Sequence, residues 1–158
     1  MKKYLVSCIA VLTFALMFAW LAIAFSVVNY PAILGGPVST SGYDILKAGT
    51  SEYYSSAANA RYVFLLLSVI FGALAVVAAC GSALKANGAL KVKFDLNMVV
   101  VCLLCVTALM AVVSVICGLC IEVPEEAKEL VKIGAGLILY PVWLILGAVA
   151  AFVFRKAK

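Results

Sequence analysis

Four stretches of the chain carry no charged residue: 4–43, 62–84, 96–121 and 133–154. The first is broken beyond Asn29 by Pro31, Gly35, Gly36 and Pro37, which leaves 4–28 as its continuous apolar part. A helix needs about 20 apolar residues to cross a hydrocarbon core of about 30 Å. Each stretch therefore predicts one span, at about 4–28, 62–84, 96–121 and 133–154. A charge at the centre of the hydrocarbon costs at least ~2.5 kcal/mol, so clean runs of this length carry weight. The expected fold is all-α: an integral membrane four-helix transmembrane bundle, one membrane domain over 1–158.

The connectors are 29–61, 85–95 and 122–132. Prolines and glycines punctuate 30–49 as irregular or short-strand structure. From there the pattern changes. Thr50 or Ser51 suits an N-cap, Glu52 suits the first turn, and no breaker follows before the second span. A helix over 51–86 would be about 54 Å long, more than the hydrocarbon thickness. Likewise Pro124, Glu125 and Glu126 suit the first turn of a helix over 124–154, which Pro141 should kink. Helices 2 and 4 are thus expected to extend beyond the membrane on the outer side. In the short connector, Asn87-Gly88 supplies a turn and Asp95 an N-cap for the third span.

Composition agrees with a membrane protein: 67% of the 158 residues are hydrophobic, with a mean hydropathy of +1.22. The charges sort by side. Lys2, Lys3, Lys85, Lys91, Lys93, Arg155, Lys156 and Lys158 fall on one side, with Asp95 their one acid. Lys47, Arg61, Lys128 and Lys132 fall on the other, outnumbered by Asp44, Glu52, Glu122, Glu125, Glu126 and Glu129. The positive-inside bias makes the protein N-in/C-in, with 29–61 and 122–132 outside. The expected location is the cell membrane. The opening MKKY and Ala22-Ile23-Ala24 suit a cleaved signal peptide. The apolar run is longer than the ~7–15 residues of a signal core, so it is read as a retained span.

Small residues at Ala75, Ala79 and Ala83, and at Gly147 and Ala151, recur at helical spacing. They permit close helix approach, within one bundle or between copies. Thr13, Ser26, Ser68, Thr107 and Ser114 are polar side chains within spans, and each can bond its own helix backbone.

Candidate chemistry is sparse. The chain has no histidine, the commonest general base and nitrogen metal ligand. No ionisable residue lies within a span, although charged relays need one. No phosphate-cradling glycine motif, nucleophile elbow or metalloprotease helix occurs. No cofactor or metal is expected, and the scattered bases make no nucleic-acid stripe.

Cys102, Cys105, Cys117 and Cys120 form two C-x-x-C pairs on one helical stripe about 120° wide. Cys102 and Cys117 would lie about 22 Å apart along the helix, too far to share one zinc. The CGLC at 117–120, ending a span at the outer face, resembles the membrane disulfide-generating enzymes: the bacterial disulfide-bond-formation proteins and the vitamin K epoxide reductases. That resemblance implies thiol–disulfide exchange at Cys117 and Cys120, with a quinone. Those families add a second cysteine pair in an outer segment, and 29–61 and 121–132 contain none. A helix C-terminus and the adjacent Glu122 also disfavour a thiolate. Packing within the helices is the expected role for these cysteines, and for Cys8 and Cys80. The claudin type of tetraspan protein carries Trp and paired Cys in its first outer loop. Residues 29–61 have neither, and that family is not assigned.

The most apolar patch of the outer loop that carries a charge is Gly42, Tyr43, Asp44, Ile45 and Leu46. It either tucks against the helix extensions or offers a partner-docking edge. The expected function is a membrane protein without its own catalysis, an accessory or scaffold subunit presenting a small outer domain. Its partners are the lipid bilayer and another membrane or envelope protein, or a second copy of itself. The alternatives are a thiol–disulfide oxidoreductase using Cys117 and Cys120, and a small-solute channel or transporter.

Overall fold

A computed structural model describes residues 4–29, 36–123, 125 and 128–155. Its elements in chain order are α1 (Leu5–Ala22), β1 (Ala24–Asn29), β2 (Pro37–Ser41), α2 (Gly42–Ala48), α3 (Ser56–Ala86), α4 (Leu96–Leu119), β3 (Val131–Ile133) and α5 (Ala135–Arg155). The helices α1, α3, α4 and α5 are long and apolar enough to cross a membrane. They correspond to the four spans expected from the sequence.

The fold is not all-α. The first span ends early: Ile23 turns to extended backbone, φ −77° and ψ 145°, and the chain continues as β1. β1 is the centre of a three-stranded antiparallel sheet of order β2-β1-β3. Val27 faces Ser39 on one side and Lys132 on the other. An apolar run alone does not separate a helix end from a buried strand. Here the two neighbouring strands satisfy the backbone groups that helix would otherwise satisfy.

The expected extension of the fourth helix to 124–154 is also corrected. Residues 131–133 form β3, and α5 begins at Ala135. Gly134 permits the switch. Its amide bonds to the Phe25 carbonyl at 2.9 Å, and any Cβ there would lie 2.0 Å from the Ala24 carbonyl oxygen. Pro124 and Glu126, placed in the first turn of that helix, lie outside the described residues. Farther along, α5 runs through Pro141 as one helix.

The second long helix begins at Ser56, not Ser51. Ser55 caps it, its hydroxyl accepting from the Ala58 amide at 3.2 Å. Ser51 instead serves the preceding turn, bonding Asn59 from its amide (3.1 Å) and its carbonyl (3.0 Å). At ~1.5 Å per residue the helix is still about 46 Å long. The short connector follows the sequence reading: Gly88 has φ 77°, and Asp95 caps α4 through the Asn97 and Met98 amides.

The core has two layers. Toward the Asn87 end it is made of small and β-branched residues: Val6, Ala10, Ala75, Ala79, Val100, Val101, Ala148 and Ala151, with Leu104. Toward the sheet it is made of larger ones, among them Met17, Leu21, Phe25, Leu65, Tyr140 and Leu144. Thr13, Ser68, Thr107 and Ser114 are buried, while Leu12, Val77, Leu109, Ile116, Leu146 and Val153 are exposed. A bundle with polar groups inside and apolar ones outside suits a hydrocarbon solvent.

Two of these four hydroxyls reach between helices rather than to their own backbone alone. Ser68 bonds the Leu65 carbonyl at 2.7 Å and the Tyr140 hydroxyl at 2.5 Å. Ser114 donates to the Arg61 carbonyl at 3.0 Å. Thr107 donates within its own helix, to Leu103, and Ser26 lies in β1.

Candidate functional site at the sheet end of the bundle

The sheet end brings together polar side chains that lie far apart in sequence. Ser41 opens α2 with a capping box: its hydroxyl accepts from the Asp44 amide at 3.3 Å, and the Asp44 carboxylate accepts from the Ser41 amide at 2.8 Å. The Ser41 hydroxyl donates to the same carboxylate at 2.7 Å. The backbone bond first, then the hydroxyl, holds the Asp44 carboxyl below the usual aspartate range. Once α2 is capped, its alternating faces separate. Tyr43, Ile45 and Leu46 are partly buried against the core layer of Leu21, Phe25 and Leu65, and Asp44 is exposed. Of the four candidate docking residues, three turn inward.

Arg61 is the residue that sequence reasoning missed. It reads as one more flanking base, since it stands directly before an apolar run. In the structure it is 9% exposed. Its guanidinium carbon lies 5.7 Å from the centre of the Phe25 ring, a cation–π arrangement. On another side it abuts the last turn of α4 at Gly118, where an added Cβ would lie 3.1 Å from Nε. That turn is the negative end of a helix dipole, which favours a cation. Nε and Nη2 are closed to solvent and have no hydrogen-bond partner among the described residues. Beside Arg61 lies a cavity of about 150 Å³, lined also by Thr40, Asp44, Tyr54, Tyr62 and Ile121. The cavity joins β2, α2, the loop that follows it, α3 and Ile121 beyond the C-cap of α4, so no single stretch of sequence encodes it.

The cysteines behave differently from the packing expectation. Cys102, Cys105 and Cys120 are exposed and Cys117 is half-buried, so the stripe faces away from the core. Cys8 and Cys80 are exposed as well, and all six thiols are free. The reason is steric: the inward face of α4 is taken by Val101, Leu104, Thr107, Ala108, Ala111 and Ser114. Among the described residues no three His, Cys, Asp or Glu side chains gather as a metal site. Cys120, the C-cap of α4, borders an open cavity of about 760 Å³ with Glu122, Glu125 and Lys128. Lys128 and Glu125 form an exposed ion pair at 2.5 Å.

At the opposite end of the bundle, Asp95 does more than cap. Its Oδ2 accepts from Arg155 Nη2 at 3.0 Å and Nε at 3.2 Å, tying the start of α4 to the end of α5. Partial burial pushes this carboxyl up. The Arg155 bonds and the Met98 and Asn97 amides outweigh that and hold it below the ordinary aspartate value. No family model, curated protein or solved structure matches the chain.

Proposed function

We propose that this chain is an accessory or scaffold subunit of the cell membrane, without catalysis of its own. Its termini and the Asn87 turn face the cytoplasm, and its sheet end docks a membrane or envelope partner. The orientation rests on the lysine and arginine bias of the flanks. The docking role rests on one observation above all: the sheet end exposes apolar side chains beyond the long helices. Val38 on edge strand β2 is 53% exposed, Ile133 on edge strand β3 is 61% exposed, and Tyr53 is 95% exposed. Edge strands with free backbone groups are ready templates for pairing with another chain. Gentle-detergent purification with amine crosslinking tests the reading. A stable heteromer or homomer is expected, and recovery of a lone monomer would count heavily against it.

A thiol–disulfide oxidoreductase is the second reading, favoured by the exposure of Cys120 at the edge of the larger cavity. Alkylation before and after reduction separates the two. If Cys117 and Cys120 remain reduced in oxidising medium, the redox reading fails.

A further inference from the structure

Two free thiols from different helices open on one groove near the Asn87 end. Cys8 and Cys80 are both exposed, and both line an open cavity of about 570 Å³ between α1 and α3. Leu12 and Ala15 of α1 and Ala79 and Ala83 of α3 line it as well. Its hydroxyls are already engaged: Ser7 donates to the Ala79 carbonyl at 2.9 Å, and Tyr4 donates to Asn87. The groove therefore suits an apolar chain rather than a polar ligand. A methylene occupies no more than a liquid water, ~30 Å³, so the space takes one chain of about 16 carbons and not two. Cys8 lies three residues inside α1 and Cys80 six residues before the end of α3, about 5 Å and 9 Å along the axes. Both are at the juxtamembrane depth where cysteines take acyl groups. The lining continues from Cys8 to Ala15, toward the centre of the bilayer.

We propose that this groove is an S-acylation site, in which Cys8, or Cys80 in its place, carries one long-chain acyl group that lies between α1 and α3. The donor is an acyl thioester of coenzyme A. The cysteine sulfur attacks the acyl carbonyl carbon and a new carbon–sulfur bond forms. The bond to the coenzyme A sulfur breaks, and the thiol proton passes to coenzyme A. In the cell the step rests on the proposed orientation, which puts this end on the cytoplasmic side. Cys102 is the internal control. It is exposed and six residues inside α4, about 9 Å deep like Cys80, but it does not line the groove.

The test incubates the full chain in neutral-detergent micelles with palmitoyl-coenzyme A and maps the product by mass. One palmitoyl group per chain, released by neutral hydroxylamine, is expected on Cys8 or Cys80, several-fold faster than on Cys102. Cys8→Ala combined with Cys80→Ala should abolish it, and Cys102→Ala should leave it unchanged. Ala15→Trp, on the exposed side of α1, should fill the groove. It should slow palmitoylation several-fold and leave acetylation by acetyl-coenzyme A unchanged. No palmitoylation, equal palmitoylation of Cys102, two groups per chain on Cys8 and Cys80, or no effect of Ala15→Trp overturns the site. Sided labelling of a cysteine introduced at position 91 reads the orientation separately. A label reaching it from outside overturns the cytoplasmic donor, while the micelle result still decides the groove.

Discussion

Gly118 and Arg61 show how far one contact reaches. A methyl group at 118 would meet the guanidinium at 3.1 Å, and that side chain is hemmed in by Phe25 on another side. Gly118→Ala should destabilise the protein by about 1–3 kcal/mol, the usual cost of overpacking, seen as a lower midpoint in detergent melts. Ser68 and Tyr140 give a gentler case. Tyr140→Phe removes their 2.5 Å bond, but Ser68 keeps the Leu65 carbonyl as a partner. The expected loss is about 0.6 kcal/mol, the average for such bonds between membrane helices. A loss several times larger would mean that the hydroxyl pair organises more of the core than its own bond.

Asp95 links residue chemistry to pH. Its folded-state pKa lies below the ordinary 3.8. The stability it contributes is therefore complete at neutral pH and is lost as pH falls below 3.8 through the folded value. Both members of the Arg155 pair are partly exposed, at 52% for Asp95 and 27% for Arg155. Solvent screening limits the pair to about 0–1 kcal/mol, while the cap adds about 1 kcal/mol. Asp95→Ala should cost about 1–2 kcal/mol at pH 7 and flatten the acid limb of the melting profile.

Among the elements, β1 carries the most connections. It pairs on both edges, and Phe25 at its start is 1% exposed in the core. Val27→Pro would remove an amide and force an unsuitable φ in a central strand. The expected outcome is loss of the sheet with retention of the helices. Circular dichroism would then change little, while proteolysis within 36–55 would accelerate. Resistance to proteolysis in that variant would show that the sheet does not hold the loop. The four helices and the Asp95 cap were legible in sequence because uncharged length and cap chemistry are local properties. β1 was not: AFSVVN continues an apolar run, and only its partners, one a loop away at 37–41 and the other at 131–133, make it a strand. The start of α3 shifted for a similar reason, since Ser51 is drawn away by Asn59 and Ser55 is left as the cap.

For the whole molecule, threading is the testable property. Cysteine-free protein with a single cysteine at Lys91 or at Lys132 should be labelled from opposite sides of the membrane. Reagent confined outside should reach position 132 and not 91. The reverse pattern would invert the proposed orientation and the docking reading with it. The cavity beside Arg61 belongs to this scale too. Its walls come from β2, α2, the loop that follows it, α3 and Ile121, and the tight seat of the guanidinium depends on a glycine near the end of α4.

By itself the sequence determined the spans, the charge asymmetry of their flanks and the caps and turn of the short connector. Each of these follows from the transfer free energy of a continuous stretch or from bonds between near neighbours. Tertiary structure alone decided that a strand follows α1, that the α4 cysteines face outward, and that Arg61 is buried beside a cavity. Those outcomes depend on which surfaces meet, and burial of a side chain is a property of its neighbours in space rather than of its neighbours along the chain.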